Sequence, residues 1–122
     1  MNKFYDIDLP FGEFYEKKLA EILTSCKIEV KTEKNDWQKT NNIYIELFDR
    51  GNDSGLRITK ADYWAHVLQD KGKVKLVLIF PTTVLKNIVK KTEHKFMTYG
   101  GDYKNTLGML LPLNKLGDIL NE

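Results

Sequence analysis

The chain has 122 residues, enough for one compact core and too few for two ordinary domains. Its 42% hydrophobic and 30% charged residues describe a self-sufficient core under a well-solvated surface, and a net charge of only +2 gives little compositional support for nucleic-acid binding. No apolar run reaches the roughly 20 residues a membrane-spanning helix requires, the N-terminus lacks a signal-like stretch, and the lone Cys26 excludes an internal disulfide; a reducing cytoplasm is the expected compartment.

In chain order, Leu9-Pro10-Phe11-Gly12 reads as a turn, after which Phe11, Tyr15, Leu19 and Ile22 recur at helical spacing and predict a helix over 12–23. In Lys27–Glu33, Ile28 and Val30 alternate with Glu29, Lys31 and Glu33, as in a strand with one buried face. A second strand is expected over Ile43–Phe48, antiparallel to the first as a hairpin, so that Ile28, Val30, Ile43 and Ile45 bury one face. Residues 49–55 are rich in turn formers and read as a loop.

Thr59-Lys60-Ala61-Asp62 has the form of a capping box, which predicts a short helix carrying Trp64, Val67 and Leu68. The near-continuous apolar run from Val74 to Phe80 suits a central strand covered on both faces. Pro81 ends it and opens a helix with Val84, Leu85, Ile88 and Val89. Tyr99-Gly100-Gly101-Asp102 reads as a turn, Leu107–Leu111 as a short apolar segment, and a last helix follows Asn114. The expected class is α/β (α+β), a mixed sheet of about four strands flanked by helices in a single domain over 1–122.

Glu29-Val30-Lys31 sets a carboxylate and an ammonium on one strand face, about 7 Å apart at their α-carbons. That pairing suits phosphodiester chemistry, with hard oxygen ligation of a cation by the acid and charge stabilisation by the lysine, although Glu-x-Lys is also common on solvated strands. Lysines at 71, 73, 75, 86, 90, 91 and 95 form either a solvated edge or a phosphate-binding patch. Glu13 suits a helix N-terminus, Asp62 the capping box, Trp37 and Trp64 the core or its boundary, and His66 a structural role within its helix.

Phe11-Gly12-Glu13 with Glu16, followed by Ile28-Glu29-Val30-Lys31, resembles the PD-(D/E)XK nuclease superfamily. Asn42–Glu46, Ser54-Gly55-Leu56, Thr59–Trp64 and Gly108–Leu113 look like small phage-encoded, resolvase-like members of it, so the resemblance covers nearly the whole chain. It implies a restriction-endonuclease-like fold and cleavage of DNA, with branched DNA among the candidate substrates and magnesium or manganese as the cation. It implies Glu29, Lys31 and Glu13 as catalytic residues, a metal held by Glu29 with Glu46 or Glu13, a possible homodimer, and the cytoplasm of a bacterial host.

The Asp that the family carries before Glu-x-Lys has no counterpart in Thr24-Ser25-Cys26-Lys27-Ile28, and the candidates to replace it are Glu46, which alternation puts on the same hairpin face as Glu29, and Asp36 in the connecting loop. A non-cleaving nucleic-acid-binding relative is one rival reading. A small protein-interaction factor using aromatics such as Tyr5, Tyr63 or Tyr103 is another.

Overall fold

A computed structural model describes residues 3–34, 36–92, 94–101 and 103–121, with side chains described from residue 9 onward. Helix α1 (Lys3–Ser25) contains Pro10 and begins well before the expected boundary, so the 9–12 segment is helical instead of a turn. Strand β1 (Ile28–Glu33), a short α2 (Asp36–Thr40), β2 (Asn42–Asp49) and β3 (Asn52–Asp53) follow. A 3-10 turn at Gly55–Arg57 leads to β4 (Tyr63–Asp70) and β5 (Lys73–Pro81). Next come α3 (Thr82–Lys91), β6 (Met97–Gly100), β7 (Thr106–Pro112) and α4 (Leu116–Leu120).

The class is α+β, with the strands divided between two sheets flanked by helices. The first sheet, ordered β1-β4-β5, is mixed: β1 runs parallel to β4, and β4 antiparallel to β5. The second, ordered β3-β2-β7-β6, is antiparallel throughout. Ile43, Ile45, Leu56, Trp64, Leu68, Leu85, Ile88 and Leu111 are essentially inaccessible and form one apolar cluster drawn from both sheets and α3. No described helix is long and apolar enough to cross a membrane.

Several local expectations are overturned. β1 and β2 do not form a hairpin: they lie in different sheets, and the parallel neighbour of β1 is β4. Residues 63–70 form the middle strand of their sheet instead of a helix. Trp64, His66 and Leu68 alternate inward there, and burial of that period-two face outweighs the local capping signal. Asp62 does not close the box: its carboxylate accepts the Lys27 backbone N–H at 3.1 Å and ties the starts of β1 and β4 together.

The 74–80 run is an edge strand, with Val74, Leu76 and Val77 exposed, so it is neither central nor covered on both faces. Tyr99 and Gly100 belong to β6, with the turn beginning at Gly101; Asp102 lies outside the described residues. Ile43 and Ile45 are buried as expected, whereas Val30 is 59% exposed and Ile28 is half-buried, because the opposite face of β1 is the one turned toward the core.

Candidate functional site

Register fixes which side chains share a face. Glu29, Lys31 and Glu33 stand beside Trp64, His66 and Leu68 of β4, so the charged face of β1 continues the buried inner face of the first sheet. β1 is an edge strand, and beyond it opens a cleft of about 700 Å³. Lys27 to Lys31 line one wall, Glu46, Ser54 and Gly55 the other, and Ile58 to Ala61 close the end.

Glu46 reaches this cleft through three backbone features. A β-bulge shifts the β2–β7 register between Glu46 and Phe48 and re-aims the strand there. Gly55, at φ +53°, lies directly on the Glu46 carbonyl, where a β-carbon would collide with backbone. Gly108, opposite Glu46 in β7, allows similarly close approach to the Ile45 carbonyl and the Tyr44 ring. A rigid frame thus surrounds the one carboxylate that the second sheet supplies to the cleft.

Glu29 is held at both oxygens. The Thr59 hydroxyl donates to Oε1 at 2.6 Å, and Lys31 Nζ lies 3.3 Å from Oε2. The Lys31 ammonium also sits 5.9 Å from the centre of the Trp64 ring, so its position is fixed between an anion and a π face. The Thr59 hydrogen bond holds the Glu29 carboxyl below the usual carboxylate value, desolvation opposes this, and Lys31 adds to the lowering.

A group whose folded-state pKa is depressed contributes stability above its unfolded value, here 4.5, and loses it as pH falls through the folded value. Thr59→Val is therefore expected to raise the Glu29 titration followed by carboxyl NMR. It should also lower stability above pH 4.5, with a deficit that shrinks to nothing in acid. An unchanged Glu29 titration would remove Thr59 from this role.

In an adjoining, smaller pocket that shares Lys31 and Glu46 with the cleft, four groups form a hydrogen-bonded chain. Trp64 Nε1–H donates to His66 Nδ1 at 3.2 Å, and His66 Nε2 lies 2.8 Å from Glu33 Oε1. An indole nitrogen only donates, so Nδ1 is the acceptor and the imidazole is neutral with its proton on Nε2, which it gives to Glu33. The same Glu33 oxygen accepts the Tyr44 backbone N–H of β2, beyond the reach of β3, which pairs with that strand only at Phe48 and Asp49. Glu33 thereby fastens one sheet to the other. The expectation of a structural histidine holds for His66, on a strand instead of a helix.

The other sequence candidates fall elsewhere. Glu13 is exposed on α1 and Asp36 exposed on α2, and neither is among the residues lining the cleft. Trp37 is half-buried and donates to the Gln69 carbonyl at 2.9 Å. Lys73 and Lys75 lie on β5, and Lys86, Lys90 and Lys91 on α3. Beside Lys31, two further lysines line the cleft, Lys27 and Lys60: Lys60 lies inside the apparent capping box, and Lys27 opens the alternating run.

Among the described residues, no three His, Cys, Asp or Glu side chains come together as a metal-binding group. Glu29 and Glu46 both line the cleft, and a magnesium-type cation in general takes one or two carboxylates and keeps several waters. No family description, curated protein or solved structure matches the chain.

Proposed function

We propose that this chain is a metal-dependent DNA endonuclease of the PD-(D/E)XK kind, with its reacting centre at Glu29, Lys31 and Glu46. The observation that carries the reading is the shared cleft, in which the strand-borne Glu-x-Lys pair faces a carboxylate from the other sheet and Lys27 and Lys60 add positive charge. The parallel β1–β4 pair beside an antiparallel β5 also supports it, since a mixed sheet accompanies the resemblance that the sequence carries.

In this reading Glu29 and Glu46 would hold magnesium or manganese. When bound, such a cation stabilises charge on the phosphate oxygens and makes a coordinated water more acidic. Lys27 and Lys60 hold flanking phosphates as point charges. Lys31 directs its ammonium at the oxygens that gain charge as water adds to phosphorus and one phosphorus–oxygen ester bond breaks, leaving a phosphate monoester and a free hydroxyl. Thr59 keeps Glu29 ionised and oriented for this work.

A second reading, a nucleic-acid-binding relative that does not cut, draws on the fact that both Glu29 oxygens already have protein partners. Titration calorimetry with manganese separates the two. The nuclease reading expects one site per chain, lost in both Glu29→Ala and Glu46→Ala. Salt-sensitive DNA binding by a protein that takes up no manganese would instead establish the non-cutting relative.

A further inference from the structure

Two large apolar surfaces stand open to solvent among the described residues. The first is α1, where Phe11, Phe14, Tyr15, Leu19 and Leu23 are 48–65% exposed along one broad face. At 100° per residue these five positions fall within one half of the helix circumference, so the stripe is continuous.

The second is the outer face of the first sheet. Register places Ile28 and Val30 of β1, Tyr63 and Val67 of β4, and Val77 and Ile79 of β5 side by side on the face opposite Glu29, Lys31 and His66. Val30 and Val77 are exposed and the other four half-buried. Ala65 lies buried between them and Thr32 is the one polar residue that β1 adds, whereas a sheet face left to solvent ordinarily alternates to polar residues. Sheets with apolar outer faces are covered by a helix.

The two surfaces match in size. The α1 stripe from Phe11 to Leu23 is about 18 Å long, and six-residue β1 spans about 20 Å. Only Cys26 and Lys27 separate α1 from β1, yet α1 does not lie on its own sheet. The accessible area tells the same story. A compact monomer of 14.2 kDa exposes about 6,800 Å². This chain exposes 8884 Å², an excess on the order of 2,000 Å², whereas a standard interface takes about 800 Å² from each partner.

We infer that the occupant of the outer sheet face is α1 of a second copy, exchanged reciprocally so that each chain's helix covers its partner's β1-β4-β5 sheet. Each copy then offers the same two surfaces, the condition for a closed two-fold dimer. The exchange leaves the Glu29–Lys31 face turned away from the interface, and it does not depend on the nuclease reading.

Light scattering tests the dimer. The native protein is expected at twice the 14.2 kDa of one chain, and both Leu19→Asp and Val30→Asp at the mass of one chain. Both positions are exposed in the single chain, so circular dichroism should show the fold retained.

A second measurement tests the exchange itself. In a Cys26→Ser background, one preparation carries Leu19→Cys and the other Val30→Cys, and the two are mixed under mild oxidation. Disulfide-linked dimers joining the two preparations support the exchange. Leu19→Cys chains that link only to each other would overturn it in favour of a helix-to-helix pair. A native protein that stays at the mass of one chain at 100 µM or so would overturn it outright.

Discussion

In the proposed nuclease, Lys31→Ala should lower kcat/KM for DNA cleavage by about 100-fold or more, because it removes the ammonium that lies against Glu29 in the cleft. The loss is expected in kcat. Lys27 and Lys60 remain to hold the backbone, so DNA affinity should change several-fold at most. Lys31→Arg keeps the charge but replaces a compact ammonium with a planar fork, and it should recover binding without recovering the rate. The fold should survive both changes, since the Lys31 side chain is 44% exposed. Equal losses of affinity and rate in Lys31→Ala would assign this lysine to the backbone-holding set.

The largest effect on stability should come from Glu33→Ala. One carboxylate oxygen there accepts both the His66 Nε2–H and the Tyr44 backbone N–H, and His66 is buried. Removing it leaves two donors without partners inside the junction of the two sheets, a cost of about 2–4 kcal/mol. For a chain of this size that corresponds to a fall in melting temperature on the order of 10 °C. Glu33→Gln retains an oxygen able to accept both bonds and should cost less than half as much. If Gln proves as damaging as Ala, the negative charge at Glu33 matters more than its accepting geometry.

How legible this molecule was in its sequence depended on how local each signal was. Helical spacing locates the core of α1 and the start and apolar stripe of α3, and the strand patterns place β1 and β2 within a residue or two. β4 was misread because Thr59 to Asp62 imitates a helix cap, while the competing signal, inward Trp64, His66 and Leu68, gains its force only from the strands on either side. β5 looked central because its apolar run is unbroken. Part of that run is the uncovered outer face, which no single-strand pattern distinguishes from burial. The β4–β5 hairpin turn, Lys71-Gly72 with both φ angles positive, carried a usable glycine signal that went unread.

The site was legible in part. Glu29 and Lys31 stood out as a pair from spacing alone. Glu46 was named on a hairpin argument that does not hold, and it reaches the cleft through a bulge and the close approach of Gly55, which depend on tertiary packing. Thr59 and Lys60 were hidden by the capping interpretation, and the Trp64–His66–Glu33 chain by the assignment of its strand as a helix. Tyr63 is half-buried and Tyr103 exposed, while the Tyr5 side chain lies outside the described ones.

The central claim is that the Glu29–Lys31–Glu46 cleft cuts DNA, and the most direct test is incubation of native protein with branched, nicked and single-stranded DNAs in magnesium or manganese, beside Glu29→Ala. Cleavage of at least one substrate that needs the cation and disappears in Glu29→Ala is the predicted result. Well-folded native protein that binds these DNAs and cuts none of them, with either metal, would contradict it.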